Sequence, residues 1–225
     1  MDERIQRYVA AAEPGTLVSL FASAPLEAET RPNGQVPFWL MALDAVRTSV
    51  FNALALLTTD VAARERALAE VHAADTAHGP GTVAGLADLA FVRACMLDSV
   101  RLWPAAALLV RVTATETEWY GETLPIGSRV LIPVVAHHRA RRLPQANRFA
   151  PDLWLDGSAD SDWQMNVFSR GGAQCAGRNL ALLLGTASLA ELLRQGQFEL
   201  LGPKLAPDRP LPYGMNPLNV RFAVH

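Results

Sequence analysis

Residues 168–189 read FSRGGAQCAGRNLALLLGTASL. A glycine pair, Gly171-Gly172, stands ahead of Cys175, Gly177 follows it, and an apolar run at helical spacing begins at once. Glycine in such a place permits unusual dihedrals and lets a bulky group approach the main chain. A cysteine just before a helix also sits where the dipole favours negative charge on sulfur. A lone cysteine is most often a small packing group, but these features together point to a metal ligand or a nucleophile. A nucleophile needs a histidine base. His137 and His138 are the candidates in the body of the chain, and no known spacing ties them to Cys175. Adjacent histidines point in different directions, which weakens a zinc site as well.

The rest of the composition narrows the setting. The chain has 225 residues, half of them hydrophobic, enough for a real core. A net charge of −2 gives no electrostatic case for nucleic acid. The basic run HHRARR at 137–142 is expected to be a solvated loop. Two cysteines do not make a disulfide framework, which fits a reducing cytoplasm. Apolar stretches such as Ala105–Val112 are too short to span a bilayer, and the N-terminus carries no signal-peptide pattern. The expectation is a cytoplasmic protein without a membrane or nucleic-acid partner.

Residues 3–23 predict two short helices, or a helix and a turn, broken at Pro14-Gly15, and 25–35 a loop. Residues 36–57 predict one long helix that is apolar nearly all round. Helices are expected over 60–71 and 88–102, with a connector at 78–85. From Leu108 the pattern changes to short, β-branched, alternating strands with glycine turns, a small antiparallel sheet. Residues 140–167 form a long irregular stretch, of the kind usually tied to function. A helix over 178–194 and a strand-rich tail complete a mainly α chain with small antiparallel sheets, an α+β class.

Several landmarks then fall in order. Phe168-x-x-Gly171-x-x-x-Cys175-x-Gly177 resembles the haem-ligand signature of the cytochrome P450 family. DSVRLWP at 98–104 resembles its Glu-x-x-Arg helix, and Arg111 stands where the family often has an arginine reaching a haem propionate. HHR and then RFAPDLW at 148–154 resemble the family's meander, and residues 40–57 its long distal helix. The resemblance implies the C-terminal, haem-binding half of that fold as a single partial domain over 1–225. Its parts would be a distal helix at 36–57, the charge-pair helix at 88–102, the meander at 140–167, the ligand loop at 168–177 and the proximal helix at 178–194. It also implies haem b (iron protoporphyrin IX), with Cys175 as the metal ligand and Arg111, Phe168, Gly171 and Gly177 as cofactor contacts. The implied activity is monooxygenation of a small organic substrate, with electrons from a ferredoxin or flavoprotein. Asp98 and Arg101 can pair on one helix face, and the family pattern adds Arg148 to that network.

Four features depart from the pattern. Asp98 replaces the usual glutamate. Ala173 stands where a propionate-binding Arg or His is common, with Arg170 the nearest substitute. The distal helix keeps an acid, Asp44, as the candidate catalytic residue, but Ala45 and Val46 follow it instead of threonine. The chain is also short for the family. A peroxide-driven or non-oxygenating haem enzyme is one alternative. The other is a non-catalytic fragment or split protein, whose missing half a second chain supplies.

Overall fold

The computed structural model describes residues 2–16, 18–20 and 32–225. The 25–35 loop and the second short helix of the sequence reading lie in part outside them. Two compact units divide the chain, Met1–Ala45 and Val46–His225. Helix α1 (Asp2–Ala11) and the opening turns of α2 (Pro32–Thr59) belong to the first. α2 begins earlier than predicted, because Pro32 in a first turn forfeits no helical hydrogen bond.

In the second unit, α3 (Val61–His78) and α4 (Val83–Asp88) follow. Asp60 caps α3 by accepting from the Ala63 amide at 3.0 Å. α3 runs past the expected end at Val71 and stops at Gly79, which takes φ 82°. The expected connector at 78–85 contains the start of α4, capped by Thr82 on the Gly85 amide at 3.1 Å. α5 (Ala90–Leu102) carries Asp98 and Arg101. Its first amides are satisfied from another helix: Glu70 on α3 accepts from Phe91 and Val92 at 2.8 and 2.9 Å. A carboxylate at that end also suits the dipole.

The predicted small sheets form. β1 (Leu108–Val112) pairs antiparallel with β4 (Arg129–Pro133), Leu109 opposite Ile132 and Arg111 opposite Val130. Between them β2 (Thr117–Trp119) and β3 (Glu122–Leu124) make a hairpin whose two turn residues, Tyr120 and Gly121, both have positive φ. That matches a turn whose twist suits the strands. α6 (Val134–His138), a 3-10 turn at Pro151–Trp154 and α7 (Ser158–Ser161) lead to the loop that carries Cys175. α8 (Arg178–Gln195) then runs back through the core, and β5 (Phe198–Gly202) pairs with β6 (Arg221–Val224).

One core cluster joins four helices: Val50, Leu54 and Leu57 of α2, Val71 of α3, Val92 and Met96 of α5, and Leu189 and Leu193 of α8. A second seats the meander on α5 and α8 through Leu97, Trp154, Met165 and Leu182. Arg194 on α8 holds both carboxylate oxygens of Asp75 on α3 at 2.7 Å, and this pairing keeps the Asp75 carboxyl below its ordinary range. Cys95 is packed in the main cluster, and burial pushes its thiol well up.

Two expectations are corrected. The basic run at 137–142 is not a solvated loop, since His138 and Arg139 are buried. Arg139 donates to Asn147 Oδ1 and to the carbonyls of Leu211 and Pro212, and stacks on Tyr213, with no carboxylate partner among the described residues. α2 is also longer than the apolar stretches weighed in the sequence. Gly34–Thr59 is long and apolar enough to cross a membrane, although 44% of that window is buried inside the protein.

Candidate functional site

The site is built outward from α5. Asp98 and Arg101 are both fully buried and lie on one helix face, three residues apart. Arg101 Nε and Nη2 meet the two carboxylate oxygens. The remaining lone pairs of Asp98 accept from the Ala150 amide at 2.8 Å and from Trp154 Nε1 at 3.2 Å. A buried ion pair is tolerable only when its other polar atoms are matched this way. The shorter aspartate therefore keeps a full set of partners. Arg148 joins the cluster, but through its main chain: Arg101 Nη2 donates to the Arg148 carbonyl at 2.6 Å. The Arg148 side chain is exposed.

The buried pair is tied to the ligand loop through His138. Its Nδ1 lies 3.3 Å from the Arg101 carbonyl, and its Nε2 receives the Asn166 amide at 3.1 Å. Burial lowers its pKa to about 4, so the ring is neutral near pH 7. The sequence offers His138 as a base for Cys175, as half of a weak zinc pair and as part of the HHR string; its part in the loop's support depends on a contact 28 residues away.

The loop itself turns sharply. Ser169 and Gly171 take φ 59° and 67°. The first is costly for a residue with a Cβ, the second is not. The Cys175 amide donates to the Phe168 carbonyl at 2.8 Å and closes the turn. Arg170 Nη2 donates to the carbonyls of Asp160, Asp162 and Met165 and so fastens the loop to the stretch before it. Phe168 is half-buried against the Trp154–Met165 cluster. Gly177 caps α8, and a Cβ there would meet Cys175 Sγ at 3.9 Å. Nothing stands within 4 Å of where Gly171 or Gly172 would carry a Cβ.

Cys175 is free and exposed on this turn. Arg111, on the half-buried face of β1, reaches the same loop by donating to Ser169 Oγ at 2.9 Å. Arg111, Phe168, Gly171, Cys175 and Gly177 are thus brought together, and Ser169 and Asn166 are the members the sequence reading missed. Asp44 is an exposed residue of α2 within the first unit. Among the described residues no three His, Cys, Asp or Glu side chains converge as a metal nest. One soft sulfur, one cation and one aromatic ring on this loop and β1 fit an iron porphyrin, which brings its own nitrogen ligands. A cleft of about 440 Å³ lies elsewhere, between Thr59 and the 203–212 segment.

The sequence model of the cytochrome P450 family matches residues 40–221. A protein described as cytochrome P450 4c3, from Drosophila melanogaster, is 28% identical over 128 residues, which is 56% of this chain and 24% of the relative. Cyclooctat-9-en-7-ol 5-monooxygenase from Streptomyces melanosporofaciens is 36% identical over 104 residues, 45% of this chain and 23% of the relative. A probable cytochrome P450 28c1 from Drosophila melanogaster is 26% identical over 189 residues, 80% of this chain and 37% of the relative. The chain therefore spans about a quarter to somewhat over a third of the curated relatives it matches. With that match running through the charge-pair helix, the meander and the cysteine loop alike, the chain belongs to the cytochrome P450 family.

Proposed function

We propose that Cys175 is the axial ligand of a haem b, that Arg111 holds one of its propionates, and that the chain carries the haem-ligand part of a monooxygenase. The observation that carries this reading is the free, exposed sulfur on a turn whose every fastening points inward. Cys175 closes on Phe168, Arg170 locks the loop to the meander, and Arg111 reaches it from β1. A haem held by a thiolate supplies electron-rich iron that favours cleavage of the O–O bond of dioxygen.

The chain's own residues have narrower tasks. Phe168 shields one side of the sulfur from water. Gly171, Gly172 and Gly177 leave room for a flat, bulky group against the main chain. Asp44 would hold a proton on the distal helix; with Ala45 and Val46 after it, that relay lacks the family's hydroxyl. A small organic substrate would receive one oxygen atom and water the other, with electrons from a ferredoxin or flavoprotein in the cytoplasm.

A second reading has its own observation. Leu180, Leu183 and Leu184 form an exposed apolar strip on α8, and the relatives are more than twice as long as this chain. On that reading the chain holds haem as part of a larger assembly and turns nothing over alone. One experiment tests the ligand under both. The chain is loaded with haem, reduced and exposed to carbon monoxide. A far red-shifted Soret band, lost in Cys175→Ala, supports the proposal; a folded, haem-loaded chain without that band overturns it. Turnover with reductant or with peroxide then separates enzyme from fragment.

A further inference from the structure

We propose that His138, as its neutral Nδ1–H tautomer, is the positioning residue that sets the seat of the 166–175 loop, by bridging the Arg101 carbonyl to the Asn166 main-chain amide. It rests on the reading of Cys175 only in making that loop a ligand loop.

Two backbone groups fix the tautomer. The Asn166 amide can only donate, and it approaches Nε2 at 3.1 Å, so Nε2 carries a lone pair. The proton then sits on Nδ1 and points at the Arg101 carbonyl, 3.3 Å away. The opposite tautomer would set two N–H groups against each other at Nε2 and two acceptors against each other at Nδ1. Asn166 Oδ1 also lies 2.9 Å from Nε2; we assign that side-chain amide the flipped orientation, with its NH2 toward the ring. Burial excludes water from replacing either bond, because His138 is wholly inaccessible.

The consequence runs straight along the chain. The Asn166 carbonyl accepts from Ser169 at 2.8 Å, which sets the left-handed residue; the Phe168 carbonyl, one residue earlier, accepts from Cys175 at 2.8 Å. The Arg101 end belongs to a helix locked by a buried ion pair. His138 therefore references the loop to the helix that carries the buried ion pair.

The two ends of the ring can be replaced separately. Glutamine places an acceptor near the Nε2 position, and asparagine places a donor near Nδ1. Amide hydrogen exchange of Asn166, Ser169 and Cys175 reads the loop, with the Ala181 amide of α8, bonded to Gly177, as internal reference. In His138→Asn the three loop amides should exchange roughly tenfold faster relative to Ala181, and in His138→Gln they should stay within about threefold of the parent. Equal behaviour of the two variants, or acceleration of Ala181 by the same factor, overturns the proposal. Nitrogen NMR of the unaltered chain is an independent check, and a proton on Nε2 overturns it even if His138→Asn does not fold. The carbon monoxide band reads the ligand and exchange reads the loop, so either can fail without the other.

Discussion

At the scale of single residues, the buried charges decide most. Removing the Asp98 charge leaves Arg101 fully buried without a counter-ion, and such a loss costs about 3–5 kcal/mol. Asp98→Asn should therefore lower the urea midpoint steeply. Arg148→Ala should cost under about 0.5 kcal/mol, since the carbonyl that Arg101 uses is retained. The i,i+3 spacing made the Asp98–Arg101 pair legible in the sequence. Which atom of Arg148 takes part was not, because a main-chain contact leaves no mark on residue type. His138 sets a pH dependence. Arg101 and His137 face it and Arg139 adjoins it, but burial is the main cause of its lowered pKa. The unfolded chain binds a proton from about pH 6.5 down, and the folded chain refuses it until about pH 4. Stability is full above pH 6.5, falls between those values and levels below them, by roughly 3 kcal/mol in all. Urea unfolding of His138→Gln across that range should lack this slope.

Among the elements, α8 was the most legible and still holds surprises. Its start after Gly177 and its apolar spacing were plain. The reason for Gly185 was not: a Cβ there would run into the end of Met96 on α5, so the two helices approach closely at that point. Gly185→Val should destabilise by about 2–3 kcal/mol in thermal or urea unfolding, because Met96 is itself packed. The next residue gives the opposite sign. Thr186 is buried and its hydroxyl finds no partner among the described residues. Thr186→Val keeps the shape and removes the orphan, so it should stabilise by about 1 kcal/mol. α4 and the Glu70 cap on α5 were illegible for one reason. A six-residue helix has no periodicity to show, and a cap supplied from 21 residues away is invisible in the local sequence.

For the whole molecule, the exposed apolar strip on α8 predicts self-association of the isolated chain. Replacing Leu180 and Leu183 with lysine should shift sedimentation toward monomer and leave the melting temperature within about 2 °C, as both side chains already face outward. The family was legible because its landmarks are short strings in fixed order. The way those strings meet was not: Arg170, His138 and Ser169 act through contacts that spacing does not encode. One such meeting reaches the end of the chain. Arg139 has no carboxylate partner among the described residues and is held by the carbonyls of Leu211 and Pro212; Trp103 shares the second at 2.9 Å. The 211–213 segment is thus the dielectric lining of a buried cation. Cutting the chain ahead of Leu211 would uncover that charge next to the Arg101 network, so a protease nick at the tail would be felt in the centre of the fold.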